Sequence, residues 1–79
     1  MFEKISKYSY KDLNKKLIGN IVRFTSDCQL FPNFDVTGKV ISISIASNNE
    51  YIIEIIRQNS NKRYKIGSNM HNLKFLIIL

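Results

Sequence analysis

Tyr51–Ile66 reads YIIEIIRQNSNKRYKI, and the alternation of its apolar residues decides the fold class. Counting by twos from Tyr51 collects Tyr51, Ile53 and Ile55 on one side and leaves Glu54 on the other, the period of a half-buried strand. Beyond Arg57, QNSN (58–61) is turn-forming in composition, and KRYKI (62–66) alternates again. With those four residues as the loop, Ile55 pairs with Tyr64 and Ile53 with Ile66 on the inner face, while Glu54 comes opposite Lys65 on the outer. Opposite charges in register contribute up to about 1 kcal/mol. Charge and hydropathy therefore select the same register.

The same period runs outward in both directions. VTGKVISISIA (36–46) predicts a strand with Ile41, Ile43 and Ile45 on one face and Ser42 and Ser44 on the other, and SNNE (47–50) is a turn by composition. A slip of one residue would turn every side chain to the wrong face, so the connecting loop needs an odd residue count. NIVRFT (20–25) sets Val22 and Phe24 against Arg23, and LKFLIIL (73–79) places Leu73, Phe75 and Ile77 together. SDCQLFPNFD (26–35) is a loop carrying Pro32. GSNMHN (67–72) is a connector, with Gly67 free to adopt unusual backbone angles, Ser68 or Asn69 capping a tight turn, Met70 inward and His71 outward. Upstream, SYKDLNKKLIG (9–19) predicts a short helix with Ser9 as N-cap, Asp12 three residues on and Gly19 as the stop. Its stripe of Tyr10, Leu13 and Leu17 must dock, because so short a helix is not stable alone.

Seventy-nine residues allow a single domain, 1–79, divided into an amino-terminal segment and helix (1–18) and a small β-barrel (19–79). Thirteen isoleucines with Val22, Val36 and Val40 supply the β-branched residues that strands favour. Staples are missing: Cys28 has no partner for an internal disulfide, and with His71 it cannot complete a four-ligand zinc site. No metal or other cofactor is expected. No apolar run reaches the roughly 18 residues of a membrane span, and residues 1–10 lack the apolar core of a secretory signal. A cytoplasmic protein without membrane contact is the expectation.

Helix, strand, long loop, strand, short turn, strand, tight hairpin, strand, connector, strand: this order resembles the five-stranded SH3-like small barrel, a mainly β fold, here preceded by a short α-helix. The resemblance covers Ile18–Leu79. Within it, GNIVRF followed by VTGKVISI is similar to the opening of KOW-type members, with Gly19, Val22, Gly38 and Val40 matching the pattern. The sequence departs from that pattern at residues 25–36, which are long and aromatic where KOW-type loops are short and rich in glycine. A role in nucleic-acid association is what the resemblance implies.

The formal charge of +6 favours acidic partners, although the excess of Ile, Asn and Lys is also what AT-rich codons produce. Size and codon bias of this kind are common in proteins of mobile elements. Two basic clusters are candidates for phosphate: Lys62, Arg63 and Lys65 on the hairpin, and Lys11, Lys15 and Lys16, with Lys4 and Lys7 just before them, at the amino-terminal segment, where Tyr8 and Tyr10 are interleaved. Leu30, Phe31 and Phe34 form a protein-contacting edge or else a lid over the barrel's end. Leaving such side chains in water forgoes roughly 1.5 to 3 kcal/mol each. Ile52, Ile56, Leu76 and Ile78 point away from the core, so the helix or a second copy must cover them. No local spacing announces a catalytic constellation, although one could assemble in space, and no glycine-rich phosphate loop is present in the sequence. The expected function is that of a non-catalytic binding module without a small-molecule substrate. It is read as a nucleic-acid-associated accessory protein or, alternatively, as a protein-interaction module or homodimer.

Overall fold

A computed structural model describes residues 1–27, 29–30 and 33–78. Cys28 and Phe31, singled out above, lie outside the described residues, as do Pro32 and Leu79. Six strands form one antiparallel sheet: β1 (Glu3–Lys4), β2 (Ile21–Ser26), β3 (Phe34–Ile45), β4 (Tyr51–Arg57), β5 (Arg63–Gly67) and β6 (Lys74–Ile78), in the order β1-β6-β2-β3-β4-β5. A 3₁₀ turn (Ile5–Lys7) and helix α1 (Tyr10–Leu17) follow β1. The sequence predicts five strands. The sixth is β1, too short to show a period, which adds to β6 by pairing Glu3 with Phe75 and Lys4 with Lys74. The ladder does not close, since β1 and β5 remain its edges.

The β4–β5 hairpin has the predicted register: Ile55 faces Tyr64, Ile53 faces Ile66 and Glu54 faces Lys65. Ile45 pairs with Tyr51, which leaves residues 46–50 as a loop of odd length. Strand β3 departs from simple alternation. Val36 and Val40 are buried on the inner face, but the pairing to β4 shifts between Val40 and Ser42, so Ile41 is an extra residue. After this bulge Ile43 is buried, while Ile45 is 53% exposed rather than part of an inward stripe with Ile41 and Ile43. A bulge bends its strand and deepens the local twist.

The bend is large. Tyr64 pairs with Ile55, which pairs with Val40; a flat sheet would put that level about 20 Å along β3 from Phe34. The rings of Phe34 and Tyr64 nevertheless lie 6.4 Å apart. The sheet curls until the start of β3 approaches β5, and the inner face encloses Val22, Phe24, Val36, Val40, Ile53, Ile55, Ile66 and Phe75. Gly38 makes one close approach possible, because its Cα faces the backbone of Ile56 with no room for a side chain.

Helix α1 forms where the sequence places it. Ser9 Oγ accepts from the Asp12 N–H at 3.2 Å, and Gly19, at φ +87°, ends it in a conformation that glycine adopts without strain. Leu13 and Leu17 are fully buried in the core, the Tyr10 hydroxyl donates to the Ile43 carbonyl at 2.8 Å, and the Gly19 N–H donates to the Val40 carbonyl at 2.8 Å. The helix therefore plugs the inner face. It does not cover Ile52, Ile56, Leu76 and Ile78, the partner role that the sequence suggests for it.

In the connector, Met70 packs against the core and the His71 side chain is 74% exposed, as expected. Its turn works differently from the prediction. Gly67 belongs to β5 and Asn72 takes the left-handed angle, φ 52°. Ser68 Oγ accepts from the Tyr51 N–H, Glu50 accepts from the Asn69 N–H, and Ser26 Oγ donates to the His71 carbonyl.

Candidate binding surfaces

Alternation on each strand gives the sheet an outer face that the registers assemble row by row. One row crosses five strands: Ile78, Ile21, Lys39, Ile56 and Arg63 are successive Cα partners. A neighbouring row holds Leu76, Arg23 and Thr37, and a third holds Lys4, Lys74, Thr25 and Asp35. The outer face thus collects Lys4, Arg23, Lys39, Arg63, Lys65 and Lys74 against two carboxylates, Asp35 and Glu54.

Both carboxylates are engaged. Arg23 grips Asp35 through two nitrogens at 2.9 and 2.6 Å, a bidentate geometry that carries orientation as well as charge. The hydrogen bond from Arg23 holds the Asp35 carboxyl below the usual carboxylate range. Glu54 accepts from Ser42 at 3.3 Å and reaches Arg63 at 3.6 Å. The ion pair runs diagonally to Arg63 rather than straight across to Lys65. Elsewhere Glu3 accepts from the Tyr8 hydroxyl, and Asp27 accepts from the Asn72 amide at 3.1 Å with His71 Nε2 at 3.9 Å. The Asn72 bond leads the lowering of Asp27, and Glu3 raises the Tyr8 phenol. Among the described residues, Lys4, Lys39, Lys65 and Lys74 make no ion pair on that outer face.

The predicted basic clusters fall on different sides. Lys62, Arg63 and Lys65 are exposed, Lys62 in the loop and the other two on β5, where they project from the outer face. Lys11 and Lys15 are exposed on α1, which occupies the inner side of the sheet; Lys16 rests its Nζ 5.5 Å from the Tyr8 ring. The structure does not merge the helix lysines with the hairpin. Tyr8 packs edge-on against Phe75 and Tyr10 against Tyr51, so the interleaved tyrosines serve packing. Lys39 and Arg57 are additions the sequence reading missed. With Ile21, Ile56, Gln58 and Asn61 they line a depression of about 230 Å³.

The aromatic loop divides. Leu30 is 83% exposed, so it is no lid; Phe34 is half-buried against Tyr64 and the core. Phe34, Tyr64, Lys65, Ile66, Gly67 and Met70 line a groove of about 190 Å³ beside β5. No group of three or more His, Cys, Asp or Glu side chains that could hold a metal occurs among the described residues, and no described helix is long and apolar enough to cross a membrane. Comparison of the chain with protein-family models, curated proteins and solved structures finds no match.

Proposed function

We propose that the chain is a non-catalytic binding module of SH3-like barrel type whose outer sheet face engages nucleic-acid phosphates. The curl that brings Phe34 to Tyr64 across β4 supports the barrel reading, with β1 and α1 as additions at its edge and end. The observation that carries the function is the charge balance of the outer face. Its two carboxylates are occupied by Arg23 and Arg63, and Lys4, Lys39, Lys65 and Lys74 stand without an ion pair among the described residues. Lys4 and Lys74 are direct cross-strand neighbours, an arrangement that costs energy until an anion relieves it. Phosphate contacts of this kind supply sequence-independent affinity that falls steeply with salt.

Fluorescence anisotropy with labelled single- and double-stranded DNA, at low and moderate salt, tests the proposal. Binding at micromolar protein in low salt is the expected result. Replacing Lys39, Lys65 and Lys74 together by Gln should lower the salt slope on duplex by about 0.9 for each phosphate that is no longer neutralised. No binding in low salt, or an unchanged slope in the triple variant, would overturn this assignment.

A further inference from the structure

The outer face leaves unused the groove on the opposite side of β5 and the edge of β5 itself. Strand β5 has β4 on one side and no strand on the other among the described residues. The ladder fixes which backbone groups face the open side. Arg57 N–H donates to the Lys62 carbonyl and Ser68 N–H to the Tyr51 carbonyl, and antiparallel pairs alternate between bonded and non-bonded. Lys62, Tyr64, Ile66 and Ser68 therefore bond toward β4, while the N–H and C=O groups of Arg63 and Lys65 and the N–H of Gly67 point outward. The Gly67 carbonyl is taken by the Met70 N–H at 3.3 Å. What remains is a strand-length row of donors and acceptors that no described residue pairs.

Beside that row lies the groove of Phe34, Tyr64, Ile66 and Met70. At about 190 Å³ it is smaller than the roughly 300 to 1,000 Å³ of small-molecule sites. It suits one or two apolar side chains carried on a backbone. On the outer side of the same edge stand Lys65, without an ion pair, and Arg63, held loosely by Glu54 at 3.6 Å, with Lys62 just before them. The two faces of the edge thus call for opposite chemistry at alternate positions, which is the period of a strand.

We infer that β5 is a docking edge for an extended segment of a partner protein in which acidic and apolar residues alternate. The segment adds to the sheet through main-chain bonds to Arg63, Lys65 and Gly67, its apolar side chains enter the groove, and its carboxylates meet Arg63 and Lys65. A second copy of this chain is a poorer occupant. The sheet's other edge, β1, is only two residues long, with Glu3 facing the inner side. Strand β6, which β1 covers in part, offers Lys74 and isoleucines but no acidic residue, while each copy brings a charge of +6.

An eight-residue peptide alternating glutamate and leucine, with capped ends, is the probe, and isothermal titration with amide chemical shifts is the readout. Binding should shift the amides of Arg63, Lys65 and Gly67 and survive moderate salt better than DNA binding does. Lys65→Pro removes an outward N–H without touching a bond to β4, a substitution that edge strands tolerate. It should weaken the peptide about tenfold, the loss expected for one strong hydrogen bond, whereas Lys65→Gln should cost less. Should Lys65→Pro fail to fold, the wild-type protein with a peptide methylated on alternate amide nitrogens decides the same question, again with about a tenfold loss expected. Equal affinity of the methylated and plain peptides, or of Lys65→Pro and wild type, overturns strand addition. So does a sedimentation mass showing that a second copy occupies the edge.

Discussion

Gly38→Ala separates a crowded glycine from a merely flexible one. At a backbone conformation that alanine can adopt, this change usually stabilises by about 0.4 to 1 kcal/mol through the unfolded chain. Here the added Cβ would lie 2.9 Å from the Ile56 carbonyl carbon and 3.0 Å from Ile55 Cδ1, and nearer still to the Ile56 carbonyl oxygen. The first of these is backbone, fixed by the pairing of Lys39 with Ile56 and of Gly38 with Arg57. Relief requires β3 and β4 to separate where β3 also pairs with β2, through Val22 opposite Gly38. Overpacking of this sort costs about 1 to 3 kcal/mol, from a total stability near 4 to 12 kcal/mol for a chain of this length. Urea denaturation followed by circular dichroism should show the midpoint falling by about 1 to 3 M, taking a slope near 1 kcal/mol per M. Gly67→Ala is the control, since its Cβ would meet the Glu50 carboxylate, the end of a side chain that can turn aside for the loss of its bond from the Asn69 N–H. A Gly38→Ala midpoint at or above wild type, or a Gly67→Ala loss as large, would refute the reasoning.

Leu13→Ala, which empties a fully buried position under α1, should destabilise by about 2 to 5 kcal/mol in the same denaturation experiment. Ile78→Ala, at a side chain 41% exposed, should stay within about 0.5 kcal/mol. The Arg23–Asp35 pair makes stability depend on pH with a definite sign. Arg23 lowers the Asp35 carboxyl, so the contribution is present above the unfolded carboxylate value near 3.9 and is lost as pH falls through the lower folded value. The midpoint difference between wild type and Arg23→Gln should therefore shrink as pH drops below about 4; a difference that stays constant would remove the pair from the pH dependence.

How far the sequence could be read depended on whether each signal was local. The β4–β5 hairpin was legible down to its residue pairs because a short loop couples two alternating segments rigidly, and Ile53, Ile55, Tyr64 and Ile66 all had to face inward at once. The helix was legible through Ser9, Gly19 and the Leu13–Leu17 stripe. The bulge in β3 was not, because Ile41 is the same residue type as its inward-looking neighbours and nothing in composition marks the extra residue. Counting by twos back from Ile43 puts Lys39 inside; the bulge puts it outside, and with it goes much of the basic face. Strand β1 escaped notice because Glu3 and Lys4 gain their strand character from β6, at the far end of the chain. The candidate site was half legible: Lys62, Arg63 and Lys65 emerged from one strand, but the row through Lys39 and Ile21 exists only once the registers of several strand pairs are known.

The strand order has a consequence for how the chain can assemble. Strand β6 is late in the sequence yet lies between β1 and β2, so a chain emerging amino-end first exposes the β2 edge, with Val22 and Phe24, until residues 74–78 arrive. The helix and the hairpin carry local signals, though both persist only once docked, and the Ile21–Ile78 and Phe24–Phe75 pairings close long loops, the slow kind of contact. Until they form, the core is open along one side. The carboxyl-terminal isoleucines are thus a closing seam, and their timing sets how long this small protein's apolar interior is visible to other chains.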